Sequence, residues 1–135
     1  MDTSPKYIEM CEAAGEVQAL WKPAWGDWIA DKGMSEDGAC VMMTVRFKAS
    51  GFLDAKDKSD LVWIPRQDQL QAMMVGASLF SWTTLALFES YCREFQMDSE
   101  FAFISGHYSW EMLWLAFVMN QKYYKKWNGQ EWITK

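Results

Sequence analysis

The sequence predicts an α+β fold: a small antiparallel three-stranded sheet with an N-terminal helix and two to three C-terminal helices packed on it. Three observations lead there. Residues 39–48 alternate, with Val41, Met43, Val45 and Phe47 on one side and Met42, Thr44, Arg46 and Lys48 on the other. That is the period of a half-buried strand. Leu61-Val-Trp-Ile64 is a short apolar run stopped by Pro65, which reads as an inner strand. On either side of this strand region, apolar residues recur at three- and four-residue spacing, the period of a helix. The chain has 135 residues, and 50% of them are hydrophobic. This is one domain, 1–135, long enough to bury a core without metals or disulfides.

Each element has local reasons. Ser4-Pro5 opens the first helix, as N-cap and first helical residue. Tyr7, Met10, Cys11, Ala14, Val17 and Trp21 then fall on one face, with Glu9, Glu12 and Glu16 largely on the other. Gly15 weakens this helix by roughly 1 kcal/mol relative to Ala, or admits a close neighbour. Pro23 ends it. Residues 25–30 form a turn leading into a first strand. Residues 39–48 and 61–64 supply the other two, most simply as a meander. Gln67 begins a short helix that Gly76 ends. Residues 78–95 form a longer one, with Trp82, Leu85, Phe88, Cys92 and Phe95 as its buried stripe. Ser109 caps a last amphipathic helix. Trp110, Leu113, Trp114, Phe117 and Tyr124 mark its buried side, Glu111 suits its first turn, and Lys122, Lys125 and Lys126 suit its end. Asn128-Gly129 stops it.

Composition limits the function classes. Eighteen acids against thirteen bases give a net charge of −5, which opposes general nucleic-acid binding. Cys11, Cys40 and Cys92 are too widely spaced for a structural zinc site and point to a reducing compartment. The apolar run at 113–119 is too short to span a bilayer, and the N-terminus lacks the pattern of a secretion signal. Asp54, Asp57 and Asp60 recur every third residue among lysines, which is not the ligand spacing of a calcium loop. No metal or cofactor is expected.

Three segments carry a resemblance: Tyr7-Ile-Glu-Met-Cys-Glu12 running on to Leu20-Trp-Lys-Pro23 and Gly26-Asp27; Trp63-Ile-Pro-Arg-Gln-Asp-Gln-Leu-Gln71; and Leu113-Trp-Leu-Ala-Phe-Val-Met119 with Trp127-Asn-Gly129. In these the chain resembles a family of small bacteriophage- and prophage-encoded proteins of unknown function. The resemblance implies a phage or prophage origin and the cytoplasm of a bacterial host. It implies no activity and no catalytic residue. Similar proteins often carry Thr at the position of Arg66, which would cap the following helix better.

Two clusters are candidates for binding. At the strand-to-helix junction, Arg66, Gln67 and Asp68 stand at a helix start, where free N–H groups favour an anion or a partner carboxylate. In Trp21-Lys-Pro-Ala-Trp-Gly-Asp-Trp28, three tryptophans crowd a Pro/Gly turn, so Trp25 and Trp28 are candidates for a protein contact. The one histidine, His107, lacks any nucleophile elbow. The leading expectation is a non-enzymatic accessory protein that binds a host or phage protein through Trp25, Trp28 and Arg66, with a homodimer permitted. The alternative is a nucleotide-like ligand or an enzyme built on Arg66, Gln67, Asp68 and His107.

Overall fold

The computed structural model describes residues 1–32, 39–42, 60–75, 81–97 and 108–135. The chain is mixed helix and strand, with small antiparallel sheets. Ser4 caps α1 (Pro5–Ala13) as its position predicts, its hydroxyl accepting from the Tyr7 N–H at 3.3 Å. The expected single helix through Trp21 is instead broken. Ala14 leaves the helical region (φ −84°, ψ 63°), and α2 (Gly15–Ala19) follows. A Cβ at Gly15 would meet nothing within 4 Å, so this glycine marks the break rather than a close approach. The apolar stripe survives the break: Tyr7, Met10, Cys11, Ala14, Val17 and Trp21 are all buried.

β1 (Trp28–Asp31) pairs antiparallel with β3 (Leu61–Ile64), setting Ile29 opposite Trp63. β2 (Ala39–Met42) runs along its other side, with Ile29 opposite Val41. Among the described strands the order is therefore β2-β1-β3, not a meander, and β3 lies at an edge rather than inside. Its uniform apolarity has another cause. All four of its residues are buried, because α1 packs on it and the Trp21 indole stacks on that of Trp63 at 6.4 Å and 9°. The rest of the alternating stretch, 43–48, lies outside the described residues.

The C-terminal helices assemble round α5 (Trp110–Tyr123), which touches α1, α3 (Gln67–Val75), α4 (Ser81–Met97) and the strand after it. α1, packed on both β3 and α5, joins the helical part to the sheet. Ser109 caps α5 through the Met112 N–H at 3.1 Å. The helix is not amphipathic as expected. Met112 and every residue from Trp114 through Asn120 are buried, the pattern of a helix surrounded on all sides. Its two ends emerge: Trp110 is 62% exposed and Tyr124 70%.

Two further expectations are corrected. On α4, Thr84, Phe88 and Tyr91 form the buried face, and Phe88 stacks on Trp114 at 4.0 Å. Trp82 and Leu85, expected in the buried stripe, are exposed; the side chain of Phe95 lies outside the described residues. At the C-terminus, Tyr124 adopts the left-handed conformation (φ 56°, ψ 38°) that ends α5. Asn128-Gly129 then turns a hairpin between β4 (Lys125–Trp127) and β5 (Trp132–Thr134). Asn128 Oδ1 accepts from the Gln130 and Glu131 N–H groups, both at 2.9 Å, so the Asn-Gly pair acts as a hairpin signal. Only Lys122 remains in the last helical turn. Lys125 pairs with Glu16, and the Trp132 indole donates to the Met10 carbonyl at 3.0 Å, tying the hairpin to α2 and α1. Among the described residues no helix is long and apolar enough to cross a membrane.

Candidate functional site

The two candidate clusters are one site. The Asp27 N–H donates to the Ala24 carbonyl at 3.2 Å, closing a turn over residues 24–27. Gly26, third in that turn, has φ 84°, the value a type II turn needs at this place and glycine meets without strain. Trp25 stands at the corner and is 65% exposed.

The turn is held from beneath by Asp27, which is only 2% exposed. Its Oδ2 accepts from the Trp21 indole and from the Ala24 N–H, both at 2.9 Å. Its Oδ1 accepts from Gln69 Nε2 at 2.6 Å. Burying a carboxylate is costly unless its oxygens find donors, and this one has three. From the sequence, Gln69 stands out only as a side chain at the helix start able to read amides or bases, and neither Asp27 nor its bond to Gln69 is foreseen. The available signal was the need of nearby indole N–H groups for an acceptor.

Gln69 also works in the other direction. Its Oε1 accepts from the Arg66 N–H at 2.9 Å, the return half of a capping box at the start of α3. That bond satisfies the Arg66 N–H, a different donor from the first-turn N–H groups that a threonine at 66 would cap. Arg66 bridges the turn and the helix. One terminal nitrogen donates to the Gly26 carbonyl at 2.6 Å. Its Nε and other terminal nitrogen grip the two oxygens of Asp68 at 3.0 and 3.1 Å. These hydrogen bonds hold the Asp68 carboxyl below the ordinary carboxylate range and raise the Arg66 guanidinium further. A fork so engaged is a brace, and an incoming anion would have to displace Asp68 from it.

The expected residues are therefore placed as follows. Arg66 and Asp68 join Gly26 in the brace, while Gln67 is half-buried beside them. Trp25 is presented, and Trp28 is half-buried at the start of β1. His107 lies outside the described residues. Behind the site, the buried Tyr7 hydroxyl donates to the Pro65 carbonyl at 2.6 Å, and burial pushes its phenol well above the ordinary value. That bond fixes the chain where β3 passes into α3. The class defined by this geometry is a small α+β domain presenting an exposed indole on a braced turn. The chain matches no protein-family model, no curated protein and no solved structure.

Proposed function

We propose that this is a non-enzymatic accessory protein of a bacteriophage or prophage, acting in the bacterial cytoplasm by binding a host or phage protein through the Trp25 turn. One observation carries the reading: a tryptophan left 65% exposed on a turn whose backbone is fixed by buried polar bonds. An indole presented on rigid backbone loses little entropy on docking, and tryptophan is the side chain most enriched among residues that dominate interfaces. Leu20, 48% exposed in the same segment, widens the apolar contact. The net charge of −5 favours a partner with a basic rim around the pocket that takes the indole.

The test is affinity capture from host lysate, read by quantitative mass spectrometry and followed by titration of the purified partner. Trp25→Ala should weaken binding by tenfold or more while leaving stability within about 0.5 kcal/mol, since nothing buried is lost. An unchanged affinity with the folded variant removes Trp25 from the contact. The competing reading places a nucleotide-like ligand at Arg66, Gln67, Asp68 and His107, and it requires Arg66 to leave Asp68 and Gly26. A thermal shift with ATP and Mg²⁺, lost in Arg66→Ala, would favour that reading over ours.

A further inference from the structure

Charge is divided unevenly along the chain. Residues 1–120 carry nine bases against seventeen acids, whereas residues 121–135 carry Lys122, Lys125, Lys126 and Lys135 against Glu131 alone. The helix dipole does not account for this cluster, since only Lys122 lies in the last turn of α5 and Lys125 and Lys126 belong to β4. Most other described cations are answered by a carboxylate: Lys32 by Glu12, Arg66 by Asp68, Arg93 by Glu89, and Lys125 by Glu16. Lys126 and Lys135 are exposed and face no carboxylate among the described residues.

The hairpin register sets these two cations beside apolar side chains. Lys126 lies opposite Ile133. The Lys135 N–H donates to the Tyr124 carbonyl at 2.9 Å, which carries the ladder one residue further. Trp127 and Trp132 bury the inner face. Alternation turns Lys126 and Ile133 to the outer face, and Lys135, two residues after Ile133, joins them. Tyr124, opposite Lys135, is 70% exposed. It holds the left-handed conformation, which glycine takes freely and a residue with a Cβ takes at a cost. An exposed ring gains little burial to offset that cost.

We propose that the outer face of the β4–β5 hairpin docks a short, extended, acidic peptide segment of a partner protein. Charge complementarity sets the sign of the occupant, and spacing sets its form. Lys126 and Lys135 are diagonal neighbours across the strand pair, roughly 7–8 Å apart at the backbone. In an extended segment, residues i and i+2 point the same way and stand about 7 Å apart. Two glutamates separated by one residue therefore match the two lysines, and their carbon stems meet Ile133 and Tyr124. A nucleic-acid strand fits less well, because its charge runs on past the patch towards a remainder with an excess of acids. The surface uses no residue of the Trp25 turn, so either can fail and leave the other standing.

The experiment titrates isotope-labelled protein with the capped peptide Gly-Glu-Val-Glu-Val-Glu-Gly, followed by amide NMR at low and high salt. The same peptide with glutamine for glutamate and an oligothymidylate are the competing probes. The acidic peptide should give saturable shifts at the Lys126, Ile133 and Lys135 amides, absent with the glutamine peptide and weakened by salt. Lys126→Glu should weaken binding by about tenfold or more. Tyr124→Gly should unfold at a higher urea concentration than wild type, since the left-handed strain is relieved, yet bind the peptide more weakly. A tyrosine kept only to end the helix would show the first effect without the second. The proposal is overturned if the acidic peptide gives no saturable shift at these amides, if the glutamine peptide binds as well, or if either folded variant binds as tightly as wild type. Tighter binding of the oligothymidylate than of the peptide also overturns it, and marks a nucleic-acid surface instead. Where Lys126→Glu does not fold, Tyr124→Gly decides.

Discussion

Trp25 and Trp82 are exposed to a similar degree, 65% and 73%, yet the molecule supports them in opposite ways. Trp25 sits on a turn whose backbone is fixed by Asp27, Gln69 and Arg66. Trp82 stands near the start of α4, on the far side from the face that Thr84, Phe88 and Tyr91 bury. Exposure alone therefore says little about purpose. A buried carboxylate with three donors is costly to assemble, and here it serves to hold in place a turn that ends in an exposed indole. Among the described residues nothing comparable underlies Trp82.

Removing the support should break this contrast most severely. Asp27→Ala leaves the Trp21 indole, the Ala24 N–H and the Gln69 amide without their acceptor. The buried Trp21 indole costs about 1–3 kcal/mol as an orphan, and the part-buried Ala24 and Gln69 donors add less because water reaches them, so urea unfolding should show a loss of about 2–4 kcal/mol. Trp82→Ala, which strands no buried partner among the described residues, should stay within about 0.5 kcal/mol of wild type. Equal losses in the two variants would mean that the Asp27 network does not carry the turn.

Tyr7→Phe comes next. It removes the hydroxyl that the Pro65 carbonyl accepts from, leaving a buried carbonyl unpaired at a cost of about 1–3 kcal/mol. Because Pro65 directly precedes Arg66, the loss should also reach the brace. Hydrogen exchange at the Arg66 and Leu70 amides should quicken more than at Met112, whose amide is capped separately by Ser109. Uniform quickening would mean the bond stabilises the whole domain without positioning the junction.

The two regions also differ in how legible they were. Caps read correctly, because Ser4 and Ser109 act on neighbours three residues away. The span of β3 and the start of α3 read correctly too, since Pro65 punctuates them, while the inner position expected for β3 did not hold among the described strands. The α4 stripe misled because periodicity reports that a helix has apolar residues, while the neighbouring helix decides which of them it covers; α5 covers Phe88 and leaves Trp82 and Leu85 outside. α5 misled in the other direction, since a helix enclosed on all sides needs no polar face. Asn128-Gly129 carried two meanings, and Tyr124 took the helix-ending role by adopting positive φ without being glycine. At the site, the exposed Trp25 and the braced Arg66 were visible as residue types. Their junction was not, because Gln69 reaches Asp27 across 42 positions of sequence.

The mildest effect is acid sensitivity, and it separates the site from the rest of the fold. Hydrogen bonds from Arg66 and from Lys125 hold the Asp68 and Glu16 carboxyls below their ordinary values. In both, the folded state binds a proton less readily than the unfolded state. Their stabilisation is therefore complete above the ordinary carboxylate range, near pH 4, and is lost as pH falls through the lowered folded values. The Asp68 side chain is 68% exposed and that of Glu16 33%, so solvent screens Asp68 more and each pair contributes under about 1 kcal/mol. Urea unfolding between pH 6 and 3 should show a shallow decline that either Asp68→Asn or Glu16→Gln flattens in part. High salt should erase more of the Asp68 share than of the Glu16 share, because exposed pairs are screened first. If Asp68→Asn instead removed most of the acid sensitivity and salt left the remainder untouched, the Arg66 brace would be carrying more of the fold than its exposure allows.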